Sequence, residues 1–357
     1  MAKLRVLVVE DSITVRKRLC EILASDPEIE IAGEAEDGRR AIELCRECRP
    51  DAITMDMMLP VMSGLAATEY IMAHCPTPIL VVSSSINRGE LFKTYDALAA
   101  GAVDVLEKPS GDESDAIWEQ KFLETVKLVS RIRVITHLRA RLDARGRSPS
   151  GLPAATDRAS WQDTYRVIAL GASTGGPGAI IEVLRAFAPD FPLPVLLVLH
   201  INEPFGSAFA DWLDGQTSRR VAYAQDGEPV ATAAGRVAMA PPGRHLVVRG
   251  GRFYLTLDPE RHSCRPSVDV MFESVAREYG PTAAACLLTG MGRDGAAGLL
   301  EIRKAGGLTI AQDEATSVVY GMPREAVLLG AVGRVLPLGE IGPVLTSLTP
   351  SNGKAGP

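Results

Sequence analysis

No apolar run in this sequence is long enough to cross a membrane. Stretches such as Leu4 to Val9 and Val195 to Leu199 fall far short of the ~20 residues a membrane-spanning helix needs, so direct membrane insertion is not expected. Glu10 and Asp11 break the first apolar run after six residues, and no secretory signal is expected. Cysteine is scarce, with six in 357 residues. That number cannot staple a chain of this length, which makes the reducing cytoplasm the expected compartment. Neither sign of charge dominates, and a net −6 argues against general nucleic-acid binding. With 46% apolar and 23% charged residues, disorder and fibrous repeats are excluded for most of the length. At roughly 150 residues per domain, the length predicts two domains.

The modest net charge is unevenly spread. Residues 1–125 carry 13 basic and 23 acidic side chains, residues 126–165 carry 8 and 3, and residues 166–357 carry 17 and 18. An acidic block, a basic connector and a balanced block predict a first domain over 1–125, a linker over 126–165 and a second domain over 166–348. A loose tail over 349–357 follows. The connector begins with helical apolar spacing from Phe122 to Leu142, carries Arg131, Arg133, Arg139, Arg141, Arg145 and Arg147, and then loosens through Ser148-Pro149-Ser150-Gly151.

The acidic block alternates short apolar runs with helical stretches. Leu4–Val9, Ala52–Met55, Ile79–Val82 and Val103–Leu106 read as buried parallel strands. Val15–Ala24, Arg39–Cys48, Gly64–His74 and Arg88–Ala99 read as helices. This alternation predicts a doubly wound α/β sheet with its site at the C-terminal strand ends. Polar residues fall at those ends: Glu10 and Asp11, Asp56, Ser83 and Lys108. Three clustered carboxylates repel one another and call for a hard divalent cation, for which Mg²⁺ is suited. Shielded in that way, one carboxylate can attack phosphorus, with Lys108 and Ser83 holding phosphoryl oxygens. Cys45-x-x-Cys48, on a predicted helix, is a lone pair read as incidental.

In Val-Val-Glu-Asp-Ser at 8–12, Met-Asp-Met-Met-Leu-Pro-Val-Met-Ser-Gly at 55–64, Val-Ser-Ser at 82–84 and Glu-Lys-Pro at 107–109, the block resembles a two-component receiver domain of flavodoxin-like fold. The resemblance implies that Asp56 accepts phosphate from a histidine kinase. It also implies that Asp11 ligates Mg²⁺ directly, with the Met58 carbonyl as a further ligand and Glu10 acting through water. One departure is Val105, where receivers usually carry an aromatic residue, so the aromatic switch is not expected here.

The second block repeats the alternation. Arg166–Leu170, Val195–Leu199, Arg236–Ala240 and Ala284–Leu288 read as strands, and Pro177–Phe187, Val268–Glu278 and Ala296–Ala305 as helices. A second doubly wound, Rossmann-like sheet is expected. Gly171-Ala172-Ser173-Thr174-Gly175 contains G-x-S-x-G, the spacing that presents a serine hydroxyl on a tight strand-to-helix turn. Gly290-Met291-Gly292-Arg293-Asp294-Gly295 is a literal G-x-G-x-x-G, with Asp313 and Glu314 about twenty residues on, so a dinucleotide-binding loop is a rival reading. Against that rival, Asp294 would put a carboxylate where pyrophosphate should sit. His200, ending an apolar strand, falls on the same sheet edge as Ser173 and Asp294. Serine to attack, histidine to take its proton and carboxylate to orient the imidazole make a hydrolytic triad, in chain order Ser, His, Asp.

Gly-Ala-Ser-Thr-Gly-Gly-Pro at 171–177, Pro-Ser-Val-Asp at 266–269, Leu-Thr-Gly-Met-Gly-Arg-Asp-Gly at 288–295 and Ala-Gln-Asp-Glu-Ala-Thr-Ser-Val-Val-Tyr-Gly-Met-Pro at 311–323 resemble the bacterial chemotaxis protein-glutamate methylesterase family, which also carries an N-terminal receiver. The resemblance implies Ser173 as nucleophile, His200 as base, Asp294 as its orienter, the Met291 N–H as oxyanion donor and Thr174 as a supporting hydroxyl. No cofactor is implied for the hydrolysis itself. The implied substrates are glutamate γ-methyl esters, and also glutamines, on chemoreceptor cytoplasmic helices, under control of Asp56 phosphorylation. Family members commonly read Gln-His-Met-Pro around the histidine, where this chain has Leu199-His200-Ile201-Asn202-Glu203-Pro204; the change is expected to alter the rim of the site. A non-catalytic docking module driven by phosphorylation is the other alternative.

Overall fold

A computed structural model describes residues 3–84, 87–108, 115–132, 134, 165–201 and 204–349. Pro109, Asn202, Glu203, most of the basic connector with Arg133 and Arg139 to Arg147, and nearly all of the expected tail lie outside the described residues. The chain divides into two units, residues 1–147 and 148–357, each built on its own parallel sheet.

In the first unit, β1 (Leu4–Val9), β2 (Ile29–Ala35), β3 (Ala52–Met55), β4 (Ile79–Ser83) and β5 (Asp104–Glu107) lie in the order β2-β1-β3-β4-β5. All pairings are parallel. Between them run α1 (Ile13–Ser25), α2 (Gly38–Cys48), α3 (Gly64–His74) and α4 (Arg88–Ala99), and α5 (Asp115–Ser130) follows β5. The central strands read as unbroken apolar runs because helices cover both faces. Leu7, Val9, Ile53 and Met55 pack on one side, and Val6, Val8, Leu80 and Val82 on the other. Ser12, Asp37, Ser63 and Asn87 cap the first four helices, each side chain accepting the N–H three residues on.

Two features of this unit differ from expectation. β2 was not among the predicted strands, because as an edge strand it exposes Glu30 and Glu34 and lacks a clean apolar pattern. α5 begins earlier than the expected helix from Phe122 and runs unbroken across residue 125, where the connector was placed. Its Phe122, Val126 and Val129 are buried in the sheet's second core, so the residues up to Ser130 pack as receiver.

The second unit holds a seven-stranded parallel sheet of β6 (Val167–Ala172), β7 (Val195–Leu199), β8 (Val221–Tyr223), β9 (Val237–Met239), β12 (Ala283–Leu287), β13 (Leu308–Gln312) and β14 (Arg334–Leu336). The order is β14-β13-β12-β6-β7-β9-β8. A separate antiparallel hairpin, β10 (His245–Arg249) with β11 (Arg252–Thr256), turns at Gly250-Gly251. That dipeptide between apolar strands is a hairpin signal, and the hairpin adds to the strands expected from the sequence. The helices are α6 (Gly176–Arg185), α7 (Phe209–Gln216), α8 (Val268–Tyr279), α9 (Ala296–Lys304), α10 (Met322–Leu328) and α11 (Leu338–Thr346). Among the described residues no helix is long and apolar enough to cross a membrane.

Both sheets reverse their winding at one place, between β1 and β3 in the first unit and between β6 and β12 in the second. A crevice opens at the C-terminal ends of strands where the connections diverge. Gly64 fixes the first of these places, since a Cβ there would come 1.9 Å from the Asp56 carbonyl oxygen. Gly64→Ala is therefore expected to destabilise the receiver by about 2 kcal/mol, read as an earlier urea transition of the first unit with the second unit's transition unmoved.

Candidate functional site

The acidic cluster forms at the first sheet's switch point. Glu10 and Asp11 follow β1, Asp56 follows β3, Ser83 ends β4 and Lys108 follows β5. The ligand oxygens of Glu10, Asp11 and Asp56 all lie within 4.8 Å of one another. Lys108 Nζ sits 2.8 Å from Glu10 Oε2 and 3.2 Å from Asp56 Oδ2. Burial and the Asp56 charge push the Glu10 carboxyl above its ordinary value, against the pull of Lys108. Glu10 Oε2 is itself buried, and the ammonium is a charge contact to it without hydrogen-bond geometry. Three carboxylates facing one ammonium leave negative charge uncompensated, and an all-oxygen donor set of this kind fits Mg²⁺. The Asp56 Oδ1 atom accepts from the Met57 N–H at 2.8 Å. Ser83 is buried with its hydroxyl on the Ser84 carbonyl at 3.4 Å, and the Met58 side chain is exposed, its sulfur 3.3 Å from Lys93 Nζ.

The second site forms on three adjacent strands. Ser173 follows β6, His200 follows β7, and Asp294 lies in the turn from β12 into α9. Asp294 is 2% exposed. Its Oδ2 lies 2.8 Å from His200 Nε2 and accepts the Val268 N–H at 2.7 Å. Its Oδ1 accepts the Ser267 hydroxyl at 2.7 Å and the Asp269 N–H at 3.1 Å. The carboxylate thus sits on the N-terminus of α8, where unpaired N–H groups and the helix dipole favour an anion. Burial alone would raise the Asp294 carboxyl, but the His200 hydrogen bond and charge, with Ser267 and Asp269 N–H, hold it below its ordinary value. Burial likewise disfavours the His200 imidazolium, yet Asp294 and the Cys264 thiol outweigh it and raise the imidazole from 6.5 to about 9.

With Nε2 taken by Asp294, Nδ1 is the ring nitrogen left for a serine proton. In this structure Nδ1 faces Cys264 Sγ at 3.6 Å, and among the described residues Ser173 and His200 share no hydrogen bond. Catalytic hydrogen bonds are often long before substrate binds. Gly290 lets the 288–295 loop lie against the serine: a Cβ there would come within 2.9 Å of the Ser173 Cβ. The neighbouring Met291 N–H has no acceptor among the described residues, and Met291 is exposed. The Thr174 carbonyl accepts from the Thr289 hydroxyl at 3.0 Å, which ties the two loops together. Because Asp294 turns inward onto α8 and His200, this glycine loop carries a buried, bonded carboxylate and is no cradle for pyrophosphate.

The structure also gives roles to residues that the sequence quoted without one. In Pro-Ser-Val-Asp, Ser267 caps α8 and bonds Asp294, while Asp269 anchors the α9 turn through the Gly298 N–H at 2.6 Å. Gln312 receives the Thr289 N–H at 2.8 Å and donates to the Thr316 carbonyl at 2.8 Å, and the Val319 carbonyl accepts the Gly290 N–H, so the 311–322 segment holds the start of the 288–295 loop. Only the residue types could have hinted at this, since the partners are distant in sequence. One expectation is corrected. Leu199 is a core residue, 1% exposed, because strand alternation sends it under the sheet and His200 towards the site, so its departure does not touch the rim. Cys45 and Cys48 are both free thiols, in keeping with an incidental motif, and Cys45 faces Cys75 across 3.7 Å.

Residues 168–345 match the family model of the CheB methylesterase, and residues 6–116 match that of the response regulator receiver domain. A protein-glutamate methylesterase/protein-glutamine glutaminase from Anaeromyxobacter dehalogenans is 43% identical over 346 residues, covering 97% of each chain. Another from Nitrosospira multiformis is 42% identical over 354 residues, covering 98% of each. Among solved structures, the CheB methylesterase catalytic domain of Thermotoga maritima is 33% identical and covers 52% of this chain and 99% of its own, with a TM-score of 0.49. With such relatives along nearly its whole length, this chain belongs to the receiver-linked protein-glutamate methylesterase/protein-glutamine glutaminase family.

Proposed function

We propose that this chain hydrolyses glutamate γ-methyl esters, and deamidates glutamines, on the cytoplasmic helices of chemoreceptors, and that phosphorylation of Asp56 controls it. The observation that carries the reading is the buried Asp294 carboxylate holding His200 beside the serine turn. Ser173 Oγ attacks the ester carbonyl as His200 Nδ1 takes its proton. The Met291 N–H meets the oxyanion, with Thr174 beside it, and Asp294 stabilises the imidazolium. His200 then protonates the leaving group, releasing methanol from an ester or ammonia from an amide. Water, deprotonated by the same nitrogen, hydrolyses the acyl-enzyme to glutamate. For the attack, Nδ1 must turn from the Cys264 thiol to Ser173.

In the receiver, a histidine kinase is the phosphodonor, and Glu10, Asp11, Asp56 and the Met58 carbonyl would hold Mg²⁺. The ion supplies charge shielding that lets a carboxylate approach phosphorus. Asp56 is the acceptor, Lys108 neutralises a phosphoryl oxygen and Ser83 binds another once its hydroxyl leaves the Ser84 carbonyl. The cytoplasm is the compartment in which such receptor helices and kinases meet this enzyme.

Ser173→Ala is expected to cut methanol release from methylated receptor by about 10⁴-fold or more, with Asp56 phosphorylation intact. A wild-type chain that takes phosphate yet hydrolyses nothing would instead be a docking module. Asp56→Asn should abolish stimulation by a small phosphodonor, and equal stimulation of both proteins would sink the control. The pH dependence has a defined sign. Neutral His200 is the base, so kcat/KM should rise with pH through about 9. Because the folded-state value lies above the ordinary 6.5, the stabilisation that His200 contributes is complete below about 6.5 and is lost as pH rises through about 9. Thermal melts should therefore fall over the window in which activity climbs.

A further inference from the structure

Among the described residues, Cys264 is the one side chain bonded to His200 that the proposed hydrolysis does not use. It closes a tight turn bridged between Arg261 and Cys264, in which His262 and Ser263 adopt left-handed backbone with φ 53° and 59°. The turn brings Cys264 Sγ to 3.6 Å from His200 Nδ1, while Asp294 Oδ2 lies 2.8 Å from Nε2. A tetrahedral zinc ion with Zn–S of about 2.3 Å and Zn–N of about 2.0–2.1 Å separates its sulfur and nitrogen ligands by about 3.6 Å. The two atoms already stand at the spacing of a shared ion.

The rest of the cluster suits that chemistry. Thiolate and imidazole together favour zinc and similar thiophilic cations over Mg²⁺. In the neutral ring Asp294 accepts the hydrogen bond from Nε2–H, which fixes the tautomer and leaves the Nδ1 lone pair for a metal, as in carboxylate–histidine–zinc arrangements. His200, Cys264 and Asp294 offer ligand atoms that all lie within 4.8 Å of one another. His200 and Cys264 are each half-buried, so an ion reaches them from solvent and water completes its shell.

We propose that Zn²⁺, or a divalent cation of like softness, binds between Cys264 Sγ and His200 Nδ1 and reversibly switches hydrolysis off. The inhibitory half rests on the proposed role of Nδ1 as acceptor of the Ser173 proton. On binding, the Cys264 thiol releases its proton to solvent and the thiolate forms the S–Zn bond. Below about pH 9 the His200 imidazolium also releases its Nδ1 proton to solvent; Nδ1 then donates its lone pair to the ion, and nothing is oxidised or reduced. While that lone pair is engaged it cannot take the serine proton, and a chelator that removes the ion restores it.

The test uses the full-length chain in excess Mg²⁺, which loads the oxygen-only cluster of Glu10, Asp11 and Asp56. Co²⁺ serves as spectroscopic probe and Zn²⁺ as inhibitor. The Cys45–Cys75 pair, 3.7 Å apart, is the other thiol site to be controlled. Wild type and the Cys45→Ser/Cys75→Ser double variant should both show a thiolate-to-cobalt charge-transfer band, and Cys264→Ala should lack it. Zn²⁺ should inhibit methanol release by wild type, with activity returning on chelation. Measured against its own metal-free rate, Cys264→Ala should need about tenfold or more Zn²⁺ for the same fractional inhibition. Cys264→Ser, closer in size, gives the same readouts should the alanine variant fold poorly. No band in wild type, a band that survives Cys264→Ala, or unchanged inhibition would overturn the site. A Cys264-dependent band in a chain without hydrolytic activity would support the metal site and contradict the proposed function.

Discussion

The catalytic unit is organised around a carboxylate that is taken out of water and then over-satisfied. Asp294 receives two N–H groups at the start of α8, the Ser267 hydroxyl and His200 Nε2. Hydrogen bonds to a charged group are worth about 1.5–3 kcal/mol each, and leaving a buried charge without them costs more. The loop from β12 must therefore end where α8 begins, and His200 must point back over the sheet. The 311–322 segment, the Thr289–Thr174 bond and the Gly290–Ser173 approach then have little freedom left. The serine's position is a consequence of where the carboxylate is anchored.

The receiver reaches a comparable result by the opposite electrostatic route. Its switch point gathers three carboxylates around one ammonium and leaves them short of positive charge. Such a centre favours a further cation nearby. In the catalytic unit the negative charge is fully bonded and lends its field to one imidazole. In both, strand ends at a change of winding supply groups of different type to one crevice, which neighbouring helices alone could not do.

Most of the site was legible because strand ends are legible. An unbroken apolar run such as Val195–Leu199 announces a buried parallel strand, and the next polar residue, His200, must then face the crevice. The same logic located Asp56 and Ser173. It failed where structure is set by partners distant in the chain. β2 hides because an edge strand tolerates Glu30 and Glu34, and α5 was begun too late because its first turns carry mixed polarity while Phe122, Val126 and Val129 face the core. Leu199 was read as part of the rim because its neighbour is catalytic in type, whereas a one-residue step along a strand reverses the side chain's direction. Cys264 gives no signal in the sequence, and Ser267 stands in the Pro-Ser-Val-Asp run without a role, since a thiol and a hydroxyl gain meaning only from the 3.6 Å and 2.7 Å contacts that tertiary packing creates.

The central claim is that Asp294 sets the protonation of His200. An NMR titration of the His200 ring in the folded full-length chain and in Asp294→Asn tests it most directly. Titration near 9 is expected in the wild-type protein and a clear fall in the variant, where burial is opposed by the Cys264 thiol without the carboxylate's charge. Titration of His200 near 6.5 in both proteins would contradict it.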